Sequence, residues 1–177
     1  IALPDTKGYV KYAGAEKKFS SQTKWITDNK DKLNIKLVIH EGDITDNNSH
    51  EQWKKAKDCI SILDGVVPYA LCVGKHDIGY SAPKGVSLIE EYFPETSFKN
   101  SQCWGGKMTE QNCFWYKFKA GNYKFIIINL DLGANDKMLQ WADEIVAANK
   151  NCKAILVTHE LLEKNGKLST KKTKKNA

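Results

Sequence analysis

Three short apolar runs, each ending on a residue with a reactive side chain, constrain this chain more than any other feature. Leu37-Val38-Ile39-His40 gives way to Glu41-Gly42-Asp43. Pro68-Tyr69-Ala70-Leu71-Cys72-Val73 leads into Gly74-Lys75-His76-Asp77, and Ala154-Ile155-Leu156-Val157-Thr158 leads into His159. Short continuous apolar runs bounded by glycine read as strands buried on both faces. Helical patterns separate them, and strand alternating with helix predicts a parallel sheet covered by helices. Ligand sites in open α/β sheets lie beyond the carboxyl ends of the strands. Asp43, His76, Asp77 and His159 are therefore expected at one common edge.

The elements between these runs follow from capping and periodicity. Residues 1–7 read as the end of a strand and a turn, and residues 8–18 as a loop around Gly8 and Gly14. Ser20 or Ser21 is expected to cap a helix running to about Leu33, with Trp25 and Ile26 on its inner side. Ser49, with Gln52 three residues on, has the pattern of a capping box. It opens a helix carrying Trp53, Ala56, Ile60 and Leu63 at helical spacing and ending at Gly65. Residues 78–113 read as irregular, with a short helix at 86–92. Residues 114–119 and 123–130 read as strands joined at Ala120-Gly121-Asn122, a hairpin signal. A last helix is expected from Asn135 or Asp136, with Leu139, Ala142, Ile145 and Val146 as its apolar face and Trp141 beside it.

Charge looks basic and is not. The net +6 of the 177 residues resides in the C-terminal segment, because residues 164–177 hold six lysines and no acid. The rest of the chain balances 21 lysines against 21 acids, so no folded basic face for nucleic acid is expected. The segment reads as a flexible lysine-rich tail after a domain at 1–163, able to contact an acidic partner or simply solvated. With 41% hydrophobic residues and a mean hydropathy of -0.51, the chain reads as globular. No membrane span and no signal peptide are visible. The chain opens inside what reads as a strand, Ile1-Ala2-Leu3, so a processing point or boundary is expected there. All 27 basic residues are lysine, so no guanidinium is available to clamp an oxyanion.

None of the five cysteines forms a C-x-x-C pair. Cys103 and Cys113 flank a Gly-Gly loop and could close a disulfide, and Asn47-Asn48-Ser49 is a glycosylation sequon. Both features point to a secreted or extracellular setting. Cys72, inside an apolar run, reads as a buried thiol. Trp104, Phe114, Trp115 and Tyr116 could bind a sugar or a partner, with packing as the simpler reading.

Taken together, Gly42-Asp43-x-x-Asp46-Asn47, Gly74-x-His76-Asp77, Val157-Thr158-His159 and Leu3-Pro4-Asp5-Thr6 resemble the calcineurin-like metallophosphoesterases. The resemblance spans about residues 1–168. It implies a layered α/β fold with mixed parallel and antiparallel strands, and a pair of divalent metals (manganese, iron or zinc) sharing a carboxylate and a hydroxide. By that resemblance Asp5 binds the first metal, Asp43 bridges both and His159 binds the second. His76 serves the leaving group or the phosphoryl oxygens, and Asp77 orients His76. His40 has no family role and reads as structural.

The pattern is broken where the metals would sit. Lys7 stands where the family carries histidine or glutamine, Lys75 stands where it carries a ligating asparagine, and no final Gly-His-x-His block is present. A lysine ammonium has three donors and no lone pair, and it repels a cation. Lys7 and Lys75 are therefore expected to fill the metal positions and neutralise Asp5 and Asp43, leaving no cofactor in the site as it stands. Alternatively, Lys75 could be a depressed-pKa base or nucleophile. The functional expectation is a secreted, non-catalytic binding or structural protein of this fold with an unknown extracellular partner. The alternative is an active phosphoester hydrolase completed by residues absent from this chain.

Overall fold

A computed structural model describes residues 1–79, 86–96, 103–109, 111–162 and 165–167. The expected tail therefore lies outside the described residues except at 165–167. Two sheets form the core. β1 (Ala2–Leu3), β2 (Val38–His40) and β3 (Tyr69–Leu71) make a parallel sheet in the order β1-β2-β3. β4 (Trp104–Lys107), β5 (Phe114–Ala120), β6 (Tyr123–Asn129) and β7 (Cys152–Val157) make the second, in that order. β4-β5-β6 is an antiparallel meander and β7 runs parallel to β6, so the architecture is the expected mixed α/β arrangement.

Helices supply the crossovers. α1 (Lys7–Lys11) and α2 (Glu16–Asn29) link β1 to β2, and α3 (His50–Ile60) links β2 to β3. α4 (Ile89–Tyr92) precedes the meander, and α5 (Asp136–Ala148) links β6 to β7. The alternation of side chains along β5 and β6 divides the interior in two. Phe114, Tyr116 and Ile127 face one cluster with Phe19, Ile26, Trp53, Ile60 and Leu71. Cys113, Ile126 and Ile128 face the other, closed by Met138, Ala142 and Ile145 of α5. Burying each large side chain of this kind contributes about 2 kcal/mol.

Caps are legible residue by residue. The Ser49 side chain accepts from the Gln52 N–H, opening α3. The box does not close, because the Gln52 side-chain Oε1 accepts from the Asp46 and Asn47 N–H groups and so ties α3 to the loop after β2. Asn135 caps α5 by accepting from the Met138 N–H.

Several expectations need correction. The 8–18 loop contains α1 and the start of α2, with Gly14 in a left-handed conformation between them. α2 thus starts before Ser20 and Ser21, and Trp25 is 51% exposed while Ile26 is buried. α5 turns Met138 inward rather than Leu139, and Leu139 and Val146 are exposed. β4 was not expected, since Trp104-Gly105-Gly106-Lys107 lacks alternation. Trp104 packs on Phe114 and Tyr116 with ring centroids 6.2 and 5.4 Å apart, so three of the four grouped aromatics serve as packing.

Cys103 and Cys113 do not form the expected disulfide, and none of the five cysteines is in a disulfide. The Cys103 carbonyl accepts from the Lys117 N–H, which places Cys103 beside Lys117. Cys113 lies four residues back along the chain, about 13 Å at the rise of a strand, whereas bridged Cα atoms lie within about 7 Å. The Cys113 sulfur is instead buried against the Asp131 N–H at 3.2 Å.

β7 is more exposed on both faces than its sequence predicts. Its apolar run predicts burial on both faces, yet Ile155 is 37% and Leu156 55% exposed. Among the described residues no strand pairs with its far edge. No described helix is long and apolar enough to cross a membrane.

Candidate functional site

Three loops meet where the strands end. The first, Pro4-Asp5-Thr6, is tied to the second when the Thr6 and Lys7 N–H groups both donate to the Asp43 carbonyl, at 3.1 and 2.9 Å. The second turns through consecutive left-handed residues, Gly42 at φ 94° and Asp43 at φ 52°. An added Cβ on Gly42 would stand 2.9 Å from both the Gly74 nitrogen and the His159 Nδ1. The third loop begins at Gly74, where a Cβ would overlap the Asp43 amide and carboxylate. Close backbone approach, rather than φ, is what Gly74 supplies.

Behind this edge, two buried groups lock the loops. His40 Nδ1 accepts from the Gly42 N–H at 3.2 Å, so its proton is on Nε2 and donates to Thr6 Oγ1 at 2.9 Å. Thr6 Oγ1 donates on to the Ile44 carbonyl. Burial, aided by the nearby His159 charge, pushes the His40 pKa down to about 3 and keeps the ring neutral. Its structural role is as expected.

Asp77 is fully buried and accepts from the Ile44, Thr45 and Gly74 N–H groups and from the Thr45 hydroxyl, at 2.7–3.1 Å. It joins the second loop to the third. Burial pushes its carboxyl up to about 6 against the pull of these donors. The orienting partner of His76 is not Asp77 but the Asp46 carbonyl, 2.8 Å from His76 Nδ1.

Asp43 is the centre of the constellation. Its Oδ1 accepts from the His76 N–H at 3.0 Å and from His159 Nε2 at 3.2 Å. Its Oδ2 accepts from Lys7 Nζ at 2.5 Å, and the same ammonium lies 2.8 Å from Asp5 Oδ2. Lys7 thus stands between the two carboxylates. His159 Nδ1 donates to the Glu41 carbonyl at 2.9 Å, so both ring nitrogens face acceptors and the imidazolium form fits the geometry. His76 Nε2 is 4.0 Å from Asp43, and Lys11 pairs with Asp46 at 3.0 Å.

Lys75 departs from expectation: it is exposed and forms no ion pair with Asp5 or Asp43 among the described residues. Asn47, the sequon residue, is half-buried and accepts from the Ser49 N–H. Thr6 and Asp46 stood in the sequence motifs without an assigned role, and Thr45 and Lys11 had no sequence signal, because their contacts run across loops. Among the described residues, no group of three His, Cys, Asp or Glu side chains is arranged to hold a metal ion.

The electrostatics follow from these contacts. Burial works against the Asp43 carboxylate, but hydrogen bonds from His159, Lys7 and the His76 N–H outweigh it and hold its pKa well below the usual range. Burial also disfavours the Lys7 ammonium, and its bonds to Asp43 and Asp5 reverse that and raise its pKa. The Asp43 bond raises the pKa of His159 above that of a free imidazole.

A depressed carboxylate contributes stability above its unfolded pKa of about 4 and loses it as pH falls toward the folded value. A raised imidazole or buried acid contributes stability below its unfolded pKa and loses it as pH rises through the folded one. Asp43 and the neutral His40 therefore lose stability as pH falls, His159 loses it as pH rises past its unfolded value, and between about pH 4 and 6 the loss from Asp77 is offset by the gain from His40. Urea unfolding as a function of pH is expected to show greatest stability between about pH 4 and pH 6.5. A profile rising steadily to pH 9 would contradict these assignments.

No family model matches the chain. An uncharacterized protein of Bacillus subtilis (strain 168), YvnB, is 31% identical over 153 residues, which is 85% of this chain and 12% of that protein. A purple acid phosphatase, PPD1, from yellow lupin (Lupinus luteus) seeds superposes with a TM-score of 0.50 at 20% identity, covering 81% of this chain and 26% of that one. The chain thus spans about an eighth of the curated relative and a quarter of the structural one. The fold of this chain is that of the purple acid phosphatase, a metallophosphoesterase fold.

Proposed function

We propose that this chain is a metallophosphoesterase-fold domain with an eroded metal site, working as a secreted binding or structural module rather than a hydrolase. The observation that carries the reading is Lys7 Nζ lying between Asp5 and Asp43. A dication placed about 4 Å from that ammonium is opposed by several kcal/mol at an effective dielectric of about 20. His159 spends both nitrogens as donors in the same arrangement, leaving no lone pair for a metal. The secreted setting rests on the Asn47-Asn48-Ser49 sequon alone, since the Cys103–Cys113 bridge is absent. An acidic partner for the lysine tail belongs to the same reading.

A second reading is favoured by one observation, the exposed apolar side chains of β7. A further stretch of polypeptide could cover Ile155 and Leu156 and bring in the ligands missing here, giving an active phosphoester hydrolase with two divalent metals. Hydrolysis of p-nitrophenyl phosphate with added manganese or zinc separates the two. The eroded site gives no turnover above buffer, and metal-dependent turnover overturns it. Lys7→His with Lys75→Asn is expected to raise metal affinity, the first by removing the blocking ammonium and the second by supplying an amide oxygen at 75.

A further inference from the structure

The last described turn of the chain, at residues 165–167, carries chemistry that the candidate site does not use. Asn165 is the one asparagine of this sequence followed by glycine. Both residues are exposed, and a Cβ added at Gly166 would meet nothing within 4 Å. Gly166 sits at φ 80°, a conformation that glycine adopts without steric cost. The Lys167 N–H donates to Asn165 Oδ1 at 2.9 Å, which folds the side-chain amide back over the intervening peptide. Asn48, Asn112 and Asn129, by contrast, are buried, and their amides are bonded in place.

The Lys167 contact has the geometry of an oxyanion donor. When the Gly166 nitrogen attacks the side-chain carbonyl carbon of Asn165, negative charge gathers on Oδ1. A backbone N–H already at hydrogen-bond distance from that oxygen stabilises the charge as it develops. Glycine at 166 leaves the approach to the carbonyl uncrowded. Lys164 and Lys167 neighbour Asn165 in sequence, and residues 164–177 hold no acid, so the local charge also favours the anionic intermediate.

We propose that Asn165 is a site of spontaneous deamidation through a cyclic imide, promoted by the Lys167 N–H. The Gly166 nitrogen gives its proton to hydroxide and forms a bond to Asn165 Cγ. The Cγ–Nδ2 bond breaks, and ammonia leaves with a proton taken from water. A second water adds to either imide carbonyl and opens the ring, giving aspartate or isoaspartate with no change of oxidation state. Each product places a negative charge in the lysine-rich segment. The proposal is independent of whether the Asp43 site holds metal.

The test is to hold the full chain at neutral and mildly alkaline pH, digest it at intervals, and read each asparagine by fragmentation mass spectrometry. A gain of about 1 Da is expected at Asn165 before any other asparagine, as two isomers, and faster at the higher pH. Gly166→Ala should slow it by about tenfold. Lys167→Pro, which removes the donating N–H, should slow it by about fivefold. Lys167→Gln keeps that N–H and should stay within about twofold of the wild-type rate. Earlier change at another asparagine, an undiminished rate in Lys167→Pro, or equal slowing in Lys167→Gln would each overturn the proposal.

Discussion

Replacing Lys7 with methionine is expected to cost the fold about 3 kcal/mol, although the side chain lies at the rim of the site. The substitution keeps the length of the side chain and removes its charge. Asp43, almost fully buried, then loses its shortest hydrogen bond and one of two cationic neighbours. Breaking one side of such a pair leaves a desolvated charge behind, which is where the cost arises. Adding Asp43→Asn to Lys7→Met should recover about 2 kcal/mol of that loss, because the amide needs no counter-charge. Double-mutant urea unfolding reads the coupling. Strictly additive losses would mean that the lysine and the carboxylate do not act as a pair.

Gly74→Ala is expected to be equally severe, at about 3 kcal/mol. The new methyl group would fall on the amide and carboxylate of Asp43, both held in place by backbone bonds. The third loop must retreat, and with it the Asp77 bonds from Gly74, Ile44 and Thr45. The urea midpoint should fall with an unchanged slope, the mark of lost stability rather than a changed unfolded state. The same displacement separates His159 from Asp43, so the His159 titration followed by NMR should move back toward a free imidazole. A variant of wild-type stability would show that the loops are not pressed together.

Much of this was readable from the residues themselves. The strands at β2, β3 and β7 were marked by apolar runs, and their carboxyl ends placed Asp43, the Gly74 loop and His159 together. The Lys7 partnership was legible only through the resemblance, which put Lys7 at a metal-ligand position beside Asp5 and Asp43. Lys75 was misread for a reason sequence does not carry: one residue past Gly74 the chain turns into a short 3-10 helix at His76–Ile78, and the side chain at 75 faces solvent.

The role of Asp77 was equally hidden, since its partners are mostly backbone N–H groups, which every residue offers. Gly8 and Gly14 suggested a loop, yet α1 and α2 form around them because Val10, Phe19 and Ile26 need a common buried face. Leu139 and Met138 differ by one helical step, about 100° of rotation, and periodicity alone did not choose between them.

The exposure of β7 was not visible in sequence at all. Ala154-Ile155-Leu156-Val157 has the composition of a central strand, and only the structure shows Ile155 and Leu156 exposed. That exposure is the observation on which the active-hydrolase reading stands, just as the Lys7 bridge supports the eroded one.

Calorimetric titration of the chain, purified without chelator, with manganese and with zinc decides most directly between a lysine-filled site and a metal centre. Elemental analysis of the starting material accompanies it. The lysine-filled site predicts no stoichiometric metal as purified, no saturable binding by the wild-type chain, and measurable binding in the Lys7→His, Lys75→Asn variant. About two bound metals per wild-type chain would contradict it.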